Sequence, residues 1–429
     1  MSTLAPAELV ERIWERDPSV WTGGDEAHWL GWLDEPARMR ERAQELLEYA
    51  ARIESTVEDV VLLGMGGSSL APEVLRRAFG VERFHVLDTT HPAAVRRLRG
   101  AIDIERTLFV AASKSGTTIE TRSHVDYFRN QGGRFAVVTD PGSPLAEISG
   151  DVFYGEPTIG GRYSALSVFG LLPATLMGID VLRLLDLAEE MREACRGEDG
   201  NPGLELGLRL AGTRFLQVDG DFGLWVEQLV AESTGKEGKG IVPVREGGER
   251  LESSLADPYD LGREFFRWEF ATAVAGSLLG INPFDQPDVQ SAKDRTNALL
   301  SGQAGSDTRR VSAGHVEEVL EQAGPGRYVA IQAFIDPARE AELEPLLRQA
   351  RETGAAVSLG LGPRYLHSTG QLHKGGPGSG LFIQVVDDLG EELPIPRRDF
   401  GFRRLIAAQA DGDFAALEER GRKIVRVQL

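Results

Sequence analysis

The sequence predicts an α/β protein made of two doubly wound parallel sheets, with helical additions at both ends. Three observations lead there. From Asp59, short apolar runs at 60–63, 84–87, 108–111 and 135–138 alternate with helix-length segments, the signature of parallel strands with crossover helices on both faces. The polar stretch Arg196-Gly197-Glu198-Asp199-Gly200-Asn201-Pro202-Gly203 then reads as a linker. Beyond it a second alternating region has strand-like runs at 213–218, 240–244, 328–334, 356–359 and 381–385. A chain of 429 residues has room for two or three domains.

In chain order, residues 1–50 form a helical extension with apolar spacing around Leu9, Ile13 and Trp14 and around Met39, Ala43, Leu46 and Leu47. Trp21, Trp29 and Trp32 between them read as packing. Residues 51–196 are the first sheet domain and 204–395 the second. Residues 396–429 are a C-terminal addition, read as one helix around Leu405 and Ile406, another around Phe414 and Leu417, and a strand over 424–427.

The formal charge of −19 makes nucleic acid and anionic membrane surfaces poor partners, so an anionic ligand needs locally concentrated donors. No apolar run approaches the roughly 18 residues of a membrane span, and the N-terminus lacks the order of a signal peptide. A single cysteine, Cys195, forms no internal disulfide, and a cytoplasmic location is expected.

The run Ser113-Lys114-Ser115-Gly116-Thr117-Thr118 follows an apolar strand and precedes an amphipathic segment with Val125, Tyr127 and Phe128. A strand, a hydroxyl-rich turn and a helix start suit a phosphate: the first helical N–H groups lack partners, and the dipole places positive charge there. Lys114 adds a point charge. A capping box from Thr117 to Glu120 is the plainer reading of part of it. Gly64-Met65-Gly66-Gly67-Ser68-Ser69 ends another strand, and Ser69 stands where a dinucleotide fingerprint would need its last glycine. In Gly160-Gly161-Arg162-Tyr163-Ser164, Arg162 could meet an oxyanion, although a surface arginine is the commoner case.

Phe222, Trp225, Leu229 and Glu232 recur at spacings of three, four and three, which puts a carboxylate on an apolar helical stripe. A desolvated carboxylate is suited to accept a proton from carbon; the plainer reading pairs Glu232 with Lys236. Pro287 suits a helix's first turn capped by Asp285 or Gln286, and Gln286 and Lys293 would then share a face, roughly 10 Å apart. A solvated lysine is the plainer reading of Lys293. Among seven histidines, His373 in the glycine-rich run after Ser368 is best placed for acid–base work. His28, His85, His91, His124, His315 and His367 show no metal-ligand spacing, and no metal is expected.

Together these motifs resemble the glucose-6-phosphate isomerases, most closely the isomerase half of bifunctional transaldolase/glucose-6-phosphate isomerases, within the sugar-isomerase (SIS) superfamily. The matching pieces are Gly64 to Ser68, Ser113 to Thr118, Gly160 to Ser164, Glu232-Ser233-Thr234-Gly235-Lys236, and Phe284-Asp285-Gln286 through Lys293. The resemblance implies two SIS-type domains and isomerisation of glucose 6-phosphate and fructose 6-phosphate, a step of glycolysis and gluconeogenesis, through a cis-enediol. It implies a phosphate held by Ser113, Ser115, Thr117 and Thr118, with Gly67, Ser68 and Lys114 nearby and Gln286 holding the sugar. Glu232 would move the proton, Arg162 would stabilise the developing charge, and Lys293 and His373 would assist ring opening. It also implies a homodimer without cofactor, whose sites borrow a histidine from the neighbouring subunit, and leaves open a fusion to a transaldolase.

Two departures stand out. The phosphate turn reads Lys-Ser-Gly-Thr where the common family form has Lys-Thr-Phe-Thr, and Gly370-Gln371-Leu372-His373 follows the glutamine-lysine motif instead of preceding it. A dual phosphoglucose/phosphomannose isomerase is the alternative among enzymes, and a non-catalytic sugar-phosphate sensor the alternative outside them.

Overall fold

The computed structural model describes residues 4–197, 199–288, 290–301 and 316–429, with the backbone alone for residues 290–293. In the first half, strands β1 (Asp59–Leu63), β2 (Phe84–Leu87), β3 (Thr107–Ala112), β4 (Arg134–Thr139) and β5 (Val152–Tyr154) form one sheet, ordered β2-β1-β3-β4-β5. Every pairing is parallel, with Leu63 opposite Ala111 at the end of the β1/β3 pair. β1 and β3 are apolar and almost wholly buried, as strands covered on both faces must be. The chain runs from β1 outward to β2 and then returns past β1 to β3. The β1/β3 crevice is therefore the switch point, where ligands of such sheets bind.

The second half carries two parallel sheets. In one, β6 (Phe215–Gln217) lies between β7 (Val242–Val244) and β8 (Glu249–Arg250). In the other, β9 (Tyr328–Phe334), β10 (Ala356–Leu361), β11 (Gly380–Val386) and β12 (Lys423–Gln428) are ordered β10-β9-β11-β12. Among the described residues, one antiparallel bridge, Glu246 with Val357, joins the two. The short strands β5 and β8 have no counterpart among the runs read from the sequence. β12, assigned there to a C-terminal addition, pairs along β11.

The two helices expected after residue 396 are one, Phe402–Glu419. The helix runs on through Asp411-Gly412-Asp413, because buried apolar residues on both sides hold it through the glycine. Phe402, Leu405 and Ala408 pack against the first sheet with Phe109, Val125 and Phe128. The same helix presents Phe414 and Leu417 to the second half beside Phe382 and Ile424. The N-terminal tryptophans are packing, and of a specific kind. The Trp21 indole donates to Ala273 O (2.8 Å) and sits edge-on to Phe284, while Trp32 lies against Tyr163. They back the segments that carry Arg162 and Gln286.

Candidate active site

Both turns at the β1/β3 crevice need glycine. Gly66 adopts a left-handed conformation (φ 54°), and a Cβ on Gly67 would lie 2.0 Å from the Gly161 carbonyl oxygen. This close approach fixes the Arg162 turn against the first glycine-serine turn. In the Ser113 turn the Ser113 hydroxyl accepts from Gly116 N (3.1 Å) and shares a hydrogen bond with Thr118 Oγ1 (2.9 Å). The exposed Ser115 and Thr117 hydroxyls pair at 3.0 Å. Hydroxyl groups thus ring the start of helix Ile119–Arg129, where backbone donors have no helical acceptor.

Two readings of this turn change. Lys114 turns away from it: its ammonium donates to Asp140 (2.8 Å) and to Glu156 O (3.1 Å) and lies over the Phe169 ring. The capping box is not formed, since Thr118 occupies the cap position and its side chain makes no capping bond. Glu120 instead faces the domain interface, where His367 Nε2 lies 2.9 Å and Gln409 Nε2 2.6 Å from its Oε1.

Arg162 is not a surface arginine, being 1 % exposed. Its Nε donates to Ser233 Oγ (2.8 Å), Nη1 to Gln286 Oε1 (2.9 Å), and Nη2 to the carbonyls of Pro283 (2.6 Å) and Asp285 (3.0 Å). Nη1 also stands 3.9 Å from Glu232 Oε1. Glu232 is 7 % exposed, near the end of a helix, Gly223–Thr234, that is buried on nearly every side. Its other oxygen accepts from Gln228 Nε2 (3.0 Å), which also donates to His367 O (2.8 Å). Gly235 ends the helix as expected, where a Cβ would lie 2.4 Å from Leu372 Cα.

The Glu232–Lys236 pair is absent. Lys236 is buried and donates to Asn282 O (2.7 Å), Asp285 O (2.7 Å) and Asp285 Oδ1 (2.6 Å). Burial and the nearby Arg162 charge push its pKa down to about 8. Two cations, Arg162 and Lys236, therefore hold the segment 282–286. The helix expected from Pro287 begins at Gln290, because Asp285 is held by Lys236, and Asp288 is paired with Gln371 and Arg420. Gln286 thus precedes the helix and does not share a helical face with Lys293. The Lys293 side chain and His315 lie outside the described residues.

His373 is no candidate for ring opening. It is enclosed by Tyr328, Tyr365 and Phe382, its Nδ1 is 2.8 Å from Gln332 Nε2, and burial pushes its pKa down to about 3. An apolar cage of this kind excludes substrate and disfavours the charged imidazolium. His367, six residues earlier, is the histidine at the site. His367 has no metal-ligand spacing that would mark it in the sequence. Its place after Tyr365-Leu366 and before Ser368-Thr369-Gly370 carried no period that marks a site.

These contacts close a ring. The Ser113 turn leads to Glu120, Glu120 meets His367, Gln228 joins His367 to Glu232, Glu232 faces Arg162, and Gly161 backs onto Gly67. Gly67 follows the β1 end, beside the β3 end that carries Ser113. Glu120, His367 and Gln228 are the ring's additions to the site residues found by motif.

Among the described residues no cluster of three or more His, Cys, Asp or Glu side chains could hold a metal ion. No described helix is long and apolar enough to cross a membrane. The family model described as phosphoglucose isomerase matches residues 35–197. A probable glucose-6-phosphate isomerase of Natronomonas pharaonis is 32% identical over 343 residues, covering 57% of this chain and 79% of that protein. A glucose-6-phosphate isomerase of Thermus thermophilus is 38% identical over 186 residues, covering 40% of this chain and 44% of that protein. Among solved structures, a glucose-6-phosphate isomerase from Chlamydia trachomatis shares the fold with a TM-score of 0.56 at 18% identity, covering 73% of this chain and 87% of that one. This chain belongs to the phosphoglucose isomerase family.

Proposed function

We propose that the protein interconverts glucose 6-phosphate and fructose 6-phosphate, with the substrate phosphate on the Ser113 turn and its first two carbons beside Glu232. The observation that carries this reading is the ring of contacts, which unites an anion-binding turn with a buried carboxylate and a buried guanidinium. Membership in the family, through relatives named for this reaction, agrees with it.

In this reading Ser113, Ser115, Thr117 and Thr118 hold the phosphate with the first N–H groups of helix Ile119–Arg129. Glu232 removes the proton from C2 of the open-chain aldose and returns it to C1, so one base serves both carbons of a cis-enediol. Arg162 faces the oxygens on which negative charge develops, and its fixed partners spare it reorganisation as the charge appears. Gln228 orients the Glu232 carboxylate. Gln286 orients Arg162 and borders the sugar. His367, backed by Glu120, exchanges the proton of ring opening, in place of His373. Lys293 keeps the assisting role implied by its motif.

In this reading His367 comes from the same chain, where the resemblance implies a histidine borrowed from the neighbouring subunit. A homodimer in the cytoplasm remains part of the proposal, and light scattering of the purified protein reads the first of these. Coupled turnover of fructose 6-phosphate tests the whole. Glu232→Gln is expected to lose roughly 10²–10⁴-fold in kcat, the usual worth of a general base. A loss of only a few-fold removes Glu232 from this role.

A further inference from the structure

A second cavity, of about 380 Å3, opens between the two halves, away from the Ser113 turn. It lies where the chain leaves β6, at Val218 to Gly223, and at the end of β10, Leu359 to Leu361. The carboxyl ends of parallel strands are where such folds bind small molecules, and the isomerase reading leaves this place unused.

Its charged groups are unequal. Arg364 is spent on Asp88 (2.6 and 2.9 Å), and Arg77 on Glu73 (2.6 Å) and Asp221 (3.1 Å). Arg245, at the half-exposed mouth, gives Nη2 to Glu340 (2.5 Å) and keeps further donors. Glu227 lines the cavity, where the Ser368 side chain hydrogen-bonds its carboxyl group. Burial pushes the Glu227 carboxyl up to about 7, against the pull of Arg245 and Arg364, so near neutral pH it can donate or accept a hydrogen bond. Asp219 and Glu340 also line the cavity and weaken it for a bare anion. The lining suits a ligand that offers one anionic group to Arg245 and hydroxyl groups to the carboxylates.

We propose that this cavity is a second ligand site for a polyol phosphate, its phosphate on Arg245 and its hydroxyls on Glu227 and Ser368, and that its occupancy is felt at the catalytic residues. The coupling is covalent and short. Glu227 precedes Gln228, which holds both Glu232 and the His367 carbonyl, and Ser368 follows His367. A ligand that shifts either wall residue shifts the carboxylate or the imidazole beside it.

Calorimetric titration of the full chain with glucitol 6-phosphate, which cannot isomerise, tests this. Two binding events per chain are expected. Arg245→Ala removes a half-exposed side chain with one ion pair, so basal kcat should stay within about twofold. The second event should weaken by about tenfold or more in that variant and in Glu227→Gln, as loss of a charged hydrogen bond does. Inhibition that departs from simple competition in the parent should become competitive in Arg245→Ala. A single event untouched by both substitutions overturns the proposal, as does a second event that survives both. Ser113→Ala separates the two sites: it should weaken only the first event. If it weakens neither, the isomerase reading of the Ser113 turn fails while the second site stands.

Discussion

The two halves of the molecule offer the same kind of crevice and fill it differently. In the first sheet, the β1/β3 switch point carries glycines and hydroxyls, in the turns Gly66 to Ser68 and Ser113 to Thr118. In the second, the equivalent β9/β11 switch point ends in Asp336 and Asp387. The first half occupies it: Arg97 makes a two-pronged contact with Asp336 (2.7 and 2.8 Å), and His91 Nε2 is 3.1 Å from Asp387. Asp387 also accepts from Asp336 N (2.9 Å). Topology therefore supplies two candidate crevices, and side-chain chemistry separates them: one carries hydroxyls and glycines, and the other fastens the halves together.

The most severe way to break this contrast is to write the second crevice into the first. Ser113→Asp places a carboxylate where the proposed function puts the substrate phosphate, and like charges brought together cost several kcal/mol. The expected result is a rise in KM of roughly 10²–10³-fold with the fold retained, read by steady-state kinetics and circular dichroism. The two histidines give the next largest effect. His367→Gln should lower kcat with the cyclic substrate by about 10²-fold, the lower end for general acid–base catalysis, and His373→Gln should leave it near the parent value.

His373 is expected to show in stability instead. Its pKa is pushed down to about 3 in the fold, and that of His124 to about 4, against an ordinary value near 6.5. The unfolded chain then binds more protons between those values and 6.5. The stability these neutral imidazoles contribute is complete above 6.5 and is lost as pH falls, by up to about 1.4 kcal/mol per pH unit for each. Denaturant titrations at pH 7 and 5 should show a smaller loss in His373→Gln than in the parent.

Lys236→Met releases Asn282 and Asp285 and loosens the segment that carries Gln286. A loss of about tenfold in kcat/KM is expected, since small misplacements at a site cost up to about 10²-fold. Any alkaline limb near pH 8 in kcat/KM should flatten in this variant, because the ammonium that loses its proton there is gone. The smallest effect belongs to the second crevice. Arg97→Ala breaks a pair whose arginine is half exposed, so kcat should not change and stability should fall by about 1 kcal/mol or less.

The strands were legible because buried parallel strands are continuous apolar runs, and the glycine and hydroxyl turns because they interrupt those runs. β5 and β8 are too short to leave a run, and Asp411-Gly412-Asp413 resembles a break that packing overrides. Motif reading placed Glu232, Arg162 and Gln286 in one neighbourhood, and Arg162 touches both of the others. It misjudged side chains whose direction depends on partners far along the chain. Lys114 finds Asp140, and His367 finds Glu120 at a separation of 247 residues, neither of which a local window can reveal. His373, in the more eye-catching glycine-rich run, is buried because its neighbours are the aromatic residues of β9 and β11.

The central claim is that Glu232 carries the hydrogen between C2 and C1 of a sugar whose phosphate rests on the Ser113 turn. Its most direct measurement is the entry of solvent deuterium at C2 of glucose 6-phosphate during turnover, followed by NMR. The parent protein should exchange deuterium in, and Glu232→Gln should lose this exchange by roughly 10²-fold or more while still binding glucitol 6-phosphate at the Ser113 turn. Exchange that persists within a few-fold in Glu232→Gln would mean that another group moves the proton.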